Sequence, residues 1–482
     1  MSPLDNLPQI DALIESVLRT ARIPGGALAI VVDGATVFSK GYGYRDLAAR
    51  LPVTADTVHA IASTTKAMNT TLLGMLVDEG KLAWDHPVQR YLPHFRLQDS
   101  DVGRSITLRD LVTMRTGLAP HEFVWVESRI DRADLVERLA HLPLSAGLRE
   151  RFQYSDLTPT LAGHIAEVVT GCSWEELILH RLLEPLGMTD TGFESPANGD
   201  VTLAYHENER RELLVTRPFA TEPIAPAGGS IHSTVRDMAR WVAFNLAGGQ
   251  VDGRQLIQPR SLQEIHTPWM LMGTDGAAPS AGAAYGLGWF IDTYNGHSRI
   301  SHTGYLHDLN SCVSLFPETG IGVVSFSNFA SSRVAQLLNQ LAFDGLLGLP
   351  PAQSVEQLLT RYEQKIAATR QRNSAVRRVA DTSPSHALDD YAGRYDHPGY
   401  GAVEIRRVGA VLHFVRNDLM VPLAHWHYDA WVFDANELFE IHKQHLFDGA
   451  NRVMFSANAD GEIDTLSLPL EATLPPARFV KR

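Results

Sequence analysis

The chain has little of what several special classes of protein depend on. Only two of its 482 residues are cysteines, Cys172 and Cys312. It is therefore not a disulfide-based scaffold, and no Cys-x-x-Cys pair indicates a metal or redox site. We expect both thiols to be free and buried. No run approaches about 18 uncharged apolar residues, so the sequence predicts no membrane-spanning helix.

Positive charge is also scarce. Lysine and arginine number 42 against 55 aspartates and glutamates, which gives a formal net charge of −13. Phosphate binding needs clustered basic residues, so nucleic acid and anionic membrane surfaces are disfavoured as partners. Residues 1–8 have no basic start, apolar core or small-residue cleavage site of a secretory leader. We therefore expect a cytoplasmic protein that acts on a small molecule, and a homo-oligomer is left open.

The length predicts two or three domains. Strand signals come first, a long and mostly helical region from about 107 to 244 follows, and strand signals then return. The predicted strands are Ala27–Val32, Ala35–Phe38, Gly286–Thr293, Leu309–Phe316 and Ile321–Phe326. This order predicts an α/β (α+β) fold, in which helices flank one antiparallel sheet completed by both ends of the domain. The central part would form an all-helical subdomain.

The composition changes after residue 350. We divide the chain into a catalytic domain over 1–350, a helical linker over 351–385 and a C-terminal antiparallel β-barrel over 386–482. The barrel prediction depends on short alternating runs separated by turn signals at about 8–12-residue spacing. These runs are Val403–Ile405, Val411–Val415, Trp431–Phe433, Leu438–Ile441, Val453–Phe455 and Thr465–Leu468.

The most informative pair of residues is Ser63 and Lys66. The chain has six lysines, and Lys66 is the only one with a serine three places before it. This spacing puts the hydroxyl and the amine on one face of a helix, which we expect Ser63 to open and Gly80 to follow. The amine can then take the proton of the hydroxyl, so the pair is typical of an activated serine nucleophile.

Two further clusters can complete such a site. The first is FQYSD at 152–156, where Tyr154 could share a proton with Lys66 and later give it to a leaving group. The Lys66 cation would have to lower the pKa of Tyr154, which is about 10 when unperturbed. The second is HTGY at 302–305, at the opening of a late strand. Gly304 permits close approach by a substrate, and the amide of Tyr305 could hold an oxyanion.

These three motifs in this order resemble the serine β-lactamase and penicillin-binding protein superfamily, above all the class C type of β-lactamase with its related esterases and D-aminopeptidases. The resemblance covers about residues 8–345 and includes ITLRDLV at 106–112, EPLGMTDTGF at 184–193 and PAGG at 226–229. The tail resembles the lipocalin-like domain of some members, through YAGRY at 391–395 and HWHYD at 425–429.

The resemblance implies a role for each matching residue. Ser63 would be the acyl-accepting nucleophile, Lys66 its proton acceptor and Tyr154 the second acid/base; the amides of Ser63 and Tyr305 would form the oxyanion hole, and His302 and Thr303 would line the strand along which the substrate lies. No metal or organic cofactor is implied.

Two residues depart from the family pattern. His302 stands where penicillin-type enzymes usually carry a lysine, and it resembles the esterase and D-aminopeptidase branch. Asp156 stands where the family usually has asparagine. An ionised aspartate only accepts hydrogen bonds, and it would stabilise protonated Lys66 and leave more of the base role to Tyr154. Asp156 either orients Lys66 or receives a cationic or hydroxylated group of the substrate.

We interpret the chain as a serine hydrolase that forms an acyl-enzyme at Ser63 with esters or small peptide amides, including those of D-residues. Three alternatives stay open: a weak β-lactamase or penicillin-binding protein, an acyltransferase on the same fold, and a catalytically silent binding or sensor protein.

Overall fold

A computed structural model describes residues 3–194, 199–208, 211–218, 221–273, 282–329, 334–350, 378–433 and 452–482, together with 356, 357, 360 and 364. The strands of the first domain are β1 (Gly25–Val32), β2 (Ala35–Asp46), β3 (Leu51–Pro52), β4 (His59–Ala60), β5 (Tyr205–Glu207), β6 (Leu213–Val215), β7 (His232–Ser233), β8 (Gln250–Val251), β9 (Arg254–Gln255), β10 (Met270–Leu271), β11 (Ala284–Tyr285), β12 (Phe290–Tyr294), β13 (His297–Leu306), β14 (Leu309–Phe316) and β15 (Ile321–Ser327).

Within the described residues, nine of these strands form one antiparallel sheet in the order β10-β11-β12-β13-β14-β15-β1-β2-β3. The last strand, β15, pairs with the first, β1, from Gly26 opposite Ser327 to Val32 opposite Ile321. The prediction that both ends of the domain complete a single sheet is therefore confirmed. Asp33 and Gly34 have φ angles of 50° and 80°, and this left-handed pair forms the predicted hairpin turn between β1 and β2.

Helices cover both faces of the sheet. They are α1 (Leu7–Thr20), α2 (Thr65–Asp78), α3 (Ser100–Ser105), α4 (Leu108–Val112), α5 (Arg132–Leu139), α6 (Leu157–Thr170), α7 (Trp174–Ile178), α8 (Glu184–Leu186), α9 (Val235–Leu246), α10 (Pro259–Ile265), α11 (Val334–Leu347) and, before the barrel, α12 (Leu388–Tyr391). Successive side chains of β1 point to opposite faces. Leu28 and Ile30 pack with α1 and α11, and Ala27 and Ala29 pack with α2, α9 and the central helices.

Two predictions about the late strands need correction. Only the second half of the predicted strand Gly286–Thr293 is a strand, the beginning of β12, and β11 ends before it at Tyr285. Gly288, with φ +77°, turns the chain between them, and a Cβ there would come within 2.8 Å of the carbonyl of Lys66. The HTGY motif lies in the second half of β13, not at the opening of a strand.

The C-terminal strands close into a barrel of eight antiparallel strands within the described residues. They are β16 (Gly393–His397), β17 (Gly401–Val408), β18 (Val411–Arg416), β19 (Leu419–His427), β20 (Ala430–Phe433), β21 (Arg452–Ala457), β22 (Ile463–Leu468) and β23 (Ala477–Lys481). Five of the six predicted runs lie in these strands, and Leu438–Ile441 falls outside the described residues. Sequence reasoning missed β16, β19 and β23, because β16 and β23 each bury only one large apolar side chain, Tyr395 and Phe479, and Pro422 interrupts β19.

Cys312 is buried as expected, whereas Cys172 is exposed just after the end of α6, so the prediction is wrong for that thiol. None of the helices in the described ranges is long and apolar enough to cross a bilayer. Among the same residues, no group of three or more His, Cys, Asp or Glu side chains is arranged to hold a metal ion.

Candidate active site

The turn that carries Ser63 is a short 3-10 helix, Ala62–Thr64, which leads directly into α2. Ala62 adopts the left-handed conformation with φ +48°, which is uncommon for a residue other than glycine. A Cβ on Gly228 would lie 2.7 Å from the Ser63 amide nitrogen, so only glycine lets that loop pack so closely against the turn. Ser63 itself is half-buried. The predicted helix is confirmed, and Gly80 follows its end with φ +71°.

Lys66 lies in the first turn of α2 and its side chain is 1% exposed. Its amine donates to the Ser63 hydroxyl at 3.0 Å and to the Ala227 carbonyl at 2.6 Å. The third acceptor is the Asp156 carboxylate. Three acceptors satisfy the three donors of an ammonium group. The arrangement holds the amine nitrogen within proton-transfer distance of the Ser63 oxygen.

Two opposing effects act on the pKa of Lys66. Burial lowers it from its usual value, and the negative charges of Asp156 and Glu122 act in the opposite direction. Burial is the larger effect, because a desolvated ammonium loses its hydration. The net lowering brings the amine closer to the state in which it can accept a proton at neutral pH.

Tyr154 differs from the expectation that a neighbouring cation would make it a base. The Lys66 nitrogen lies over its ring, 4.8 Å from the centroid. Burial raises the pKa of Tyr154 well above 10, and the charges of Asp156 and Glu122 raise it further, while a hydrogen bond with Ser63 partly opposes them. The phenol is therefore neutral, and it shares a hydrogen bond with the Ser63 hydroxyl.

Asp156 is positioned by the start of α6. It occupies the N-cap position of this helix, and its side chain makes no capping bond there. The Ser155 hydroxyl instead accepts a hydrogen bond from the Leu157 amide at 3.1 Å. The carboxylate of Asp156 is left to accept from Lys66, in agreement with an orienting function.

His302 is completely buried behind Tyr154, with ring centroids 6.3 Å apart. Its Nδ1–H donates to the Thr303 carbonyl at 2.7 Å, so Nε2 accepts from the Tyr285 hydroxyl at 2.9 Å. Burial and the Lys66 charge lower the pKa of His302 to about 3. The imidazole is neutral with a fixed tautomer, and it supplies no positive charge to the cleft.

Strand β13 packs directly on the turn that carries Ser63. A Cβ on Gly304 would meet the Ile61 carbonyl and the Ser311 hydroxyl, each at 2.3 Å. The Ser311 hydroxyl donates to this same carbonyl at 2.6 Å. Gly304 is therefore needed for the approach of the protein's own backbone, not for that of a substrate. Thr303 and Tyr305, on either side of it, stay half-buried.

Hydrogen bonds to Asp308 connect the end of β13 to neighbouring residues. The Tyr305 hydroxyl donates to Asp308 at 2.7 Å, and the Thr216 hydroxyl donates to the same carboxylate. His206 lies 3.2 Å from it. Asp308 is 2% exposed, so this network fixes the backbone of Tyr305 beside the cleft.

Sequence reasoning missed three groups that the structure adds to the site. The Ala227 carbonyl accepts from Lys66, and Tyr285 holds His302. Glu122 is buried and interacts electrostatically with Lys66, Asp156 and Tyr154. Of the three, only Ala227 was indicated in the sequence, through the PAGG stretch of the family resemblance. Residue type alone cannot point to a backbone carbonyl, because every residue has one.

Comparison with known proteins finds relatives of the sheet domain. A family model described as Beta-lactamase matches residues 10–347. Protein flp of Staphylococcus aureus (strain MRSA252) is 30% identical over 351 residues, which are 70% of this chain and 66% of that protein. The chain thus spans slightly less than two thirds of the length of this relative. "Unguisins hydrolase ungD'" of Aspergillus campestris is 27% identical over 432 residues, 84% of this chain and 78% of that protein.

Two comparisons reach the barrel. The model of a domain of unknown function (DUF3471) matches residues 377–480. Among solved structures, the octameric penicillin-binding protein homologue from Pyrococcus abyssi is similar with a TM-score of 0.61 and 22% identity, covering 98% of this chain and all of that one. At this identity the similarity concerns the fold, and it extends over both the sheet domain and the barrel.

Proposed function

This chain belongs to the Beta-lactamase family, and from that premise we propose that it is a serine hydrolase that forms an acyl-enzyme at Ser63. The observation that carries the proposal is the 3.0 Å contact between the Lys66 amine and the Ser63 hydroxyl. The same amine is held from two other sides by Asp156 and by the Ala227 carbonyl. When the amine loses one proton, its two remaining donors serve Asp156 and the Ala227 carbonyl, and its lone pair can accept the proton of Ser63.

The proposed reaction has two halves. Neutral Lys66 takes the proton of Ser63, and the serine oxygen attacks the carbonyl carbon of the substrate. The amides of Ser63 and Tyr305 stabilise the oxyanion, and Tyr154 gives its proton to the leaving group. Lys66 then returns its proton to Tyr154. Water attacks the acyl-enzyme and gives a proton to Lys66, the serine oxygen leaves and takes that proton, and the acid product is released with all three side chains in their starting state. In this scheme Asp156 orients Lys66, and Thr303 lines the cleft.

The substrates that we propose are esters or small peptide amides, including those of D-residues. A penicillin-type substrate carries a carboxylate, and neutral His302 offers it no positive charge. The relative named as a hydrolase favours water over an amine or alcohol as the final acceptor. We further propose that residues 1–350 carry the chemistry and that the barrel flanks the cleft. Self-association is proposed from the octameric neighbour and can be measured by light scattering.

The test is a panel of p-nitrophenyl esters, D- and L-aminoacyl p-nitroanilides and nitrocefin, run on wild type and on Ser63→Ala. We expect wild type to turn over an ester or an anilide and to turn over little nitrocefin. Ser63→Ala should turn over none of these substrates. Intact-mass spectrometry should detect an acyl adduct on wild type only. Activity that survives in Ser63→Ala, or a serine-directed fluorophosphonate that fails to label wild type, would refute the proposal.

A further inference from the structure

The barrel and the cleft meet at one short segment, residues 121–125, which we call the junction segment. It contains a 3-10 turn, Glu122–Val124, entered through His121 in the left-handed conformation with φ +49°. His121 and Phe123 contact the barrel, whereas Glu122 between them belongs to the electrostatic surroundings of Lys66. The residue that interacts with Lys66 therefore lies between two residues that contact the barrel.

Phe123 fixes the segment to the barrel by apolar contacts. Its ring packs edge-on against Tyr400, Phe414 and Phe479, with centroids 6.0, 6.5 and 6.1 Å away. The Arg416 guanidinium lies over its face at 3.7 Å. All of these partners come from the barrel, and Phe123 is 1% exposed. A buried aromatic ring in such a pocket anchors the segment firmly.

His121 adds polar contacts of defined geometry. Its Nε2–H donates to the Pro143 carbonyl at 3.0 Å, so Nδ1 accepts from the Tyr400 hydroxyl at 2.7 Å. The backbone amide of His121 donates to the Glu471 carboxylate at 2.6 Å. Glu471 follows the barrel strand β22, so this bond joins groups 350 residues apart in the chain. It also brings a barrel carboxylate next to Glu122.

Glu122 faces charged groups of both domains. From the cleft these are Lys66 and Asp156, and from the barrel it is Glu471. Burial raises the pKa of Glu122 well above its usual range, Asp156 and Glu471 raise it further, and Lys66 opposes them. Tyr154 is another titratable group that interacts with Glu122. Glu471 in turn faces His121 and Tyr400. Because His121 is held neutral, with its pKa lowered to about 4 by burial, it does not cancel the charge of Glu471.

We propose that Glu122 is a positioning residue that sets the charge state of Lys66, and that the barrel controls Glu122 through Glu471. Glu122 acts only through Lys66 and need not touch the substrate. The inference rests on the proposed function, because it assumes that Lys66 must be neutral to activate Ser63. It gives the barrel a part in the chemistry: a shift of the barrel that withdraws Glu471 would let Glu122 ionise and would keep Lys66 protonated.

The experiment measures the acid limb of the pH profile of kcat/KM with the best substrate of the panel, because this limb reports the free-enzyme group that must lose a proton. Glu471→Gln keeps an acceptor for the His121 amide but removes the charge, so Glu122 ionises more readily and the acid limb should move to higher pH. A shift of about one pH unit is expected from a single nearby charge. In the double variant Glu122→Gln/Glu471→Gln this shift should disappear, and in Glu122→Gln alone the limb should stay in place or move to lower pH.

The matched control is Asp418→Asn. Asp418 is a barrel carboxylate that pairs with Arg129 of the sheet domain at the exposed edge of the junction, so the variant breaks an interdomain contact without changing the surroundings of Glu122. Its profile should coincide with that of wild type. The inference is overturned if Glu471→Gln leaves the limb in place, or if the shift persists in the double variant. Failure of the proposed function looks different, since turnover would then be insensitive to Ser63→Ala in every background.

Discussion

The cleft around Ser63 and the junction segment share one arrangement of a histidine and a tyrosine. Each has a buried histidine that donates to a backbone carbonyl and accepts from a tyrosine hydroxyl: His302 with Tyr285 in the cleft, and His121 with Tyr400 at the junction. In both, burial lowers the histidine pKa, to about 3 and about 4. Neither imidazole carries charge at neutral pH, so both are fixed spacers and not acids or bases.

The two regions differ in how they treat their buried cation. Lys66 has a carboxylate partner and a hydroxyl that can give it a proton. Arg416 stacks on Phe123, and its Nη1 atom has no hydrogen-bond partner among the described contacts. Burial lowers the pKa of Arg416 to about 9, which still leaves the guanidinium charged at neutral pH. The surroundings of Lys66 therefore allow this cation to lose its charge, whereas the surroundings of Arg416 keep it charged.

The largest effect should come from replacing the two cations in the same way. Lys66→Met removes the proposed proton acceptor, and we expect kcat/KM to fall by about 10³-fold, within the range of lost acid–base catalysis. Arg416→Met replaces a buried charge, which is held by the Phe123 ring and by one long hydrogen bond to the Val124 carbonyl, with an apolar chain, so stability should be unchanged or higher. Steady-state kinetics and urea unfolding of both variants measure this contrast. Equal losses of activity in the two variants would contradict the proposal that Lys66 takes part in the reaction whereas Arg416 has only a structural role.

The next effect concerns the close contact that only the cleft contains. Gly304→Ala would force β13 away from the nucleophile turn, because the new Cβ would lie 2.3 Å from the Ile61 carbonyl. Displacing positioned groups by about 1 Å can cost about 10²-fold in rate, and we expect a loss of this order. Gly192→Ala is the control, since a Cβ there meets nothing within 4 Å. If Gly304→Ala stays as active as the control, the contact does not position the site.

A smaller effect should follow from the paired tyrosines. Tyr285→Phe and Tyr400→Phe each leave one buried imidazole nitrogen without its donor, so each should lower the free energy of unfolding by about 1–3 kcal/mol. Activity should distinguish them, because only Tyr285 holds a histidine that packs against Tyr154. We expect a larger fall in kcat for Tyr285→Phe at similar stability losses. The reverse order of kcat would show that the junction histidine matters more to the chemistry.

The smallest expected effect concerns a third histidine. It shows whether burial keeps a histidine neutral without a hydrogen bond from a tyrosine hydroxyl. His266 lies against Trp289, and burial lowers its pKa from 6.5 to about 4. The unfolded chain binds this proton below pH 6.5 but the folded protein does not, so stability falls as the pH drops from 6.5 towards 4. Between pH 6.5 and 5.5, His266→Phe should reduce this fall by about 1 kcal/mol. Urea unfolding at the two pH values measures it, and parallel losses in both proteins would mean that His266 titrates normally.

Much of the sheet domain could be predicted because its signals are local or ordered along the chain. The hairpin at Asp33 and Gly34 depends on two adjacent residues, and the apolar run of β1 reflects burial on both faces. Strands β16 and β19 of the barrel could not be found in the same way, since β16 buries only one large apolar side chain, Tyr395, and Pro422 interrupts β19. The break at Gly288 escaped prediction because it depends on the carbonyl of Lys66, more than two hundred positions earlier in the chain.

The sequence by itself determined the helical spacing that puts the Ser63 hydroxyl beside the Lys66 amine, because one turn of helix needs no other part of the chain. It also determined the order of strands and helices that returns β15 to the side of β1. Only the tertiary structure decided that Asp156 and the Ala227 carbonyl complete the surroundings of Lys66, that His302 is neutral, and that Glu471 of the barrel bonds to the His121 amide beside Glu122. Burial and the distances between charges set these properties, and both arise from contacts between residues far apart in the chain.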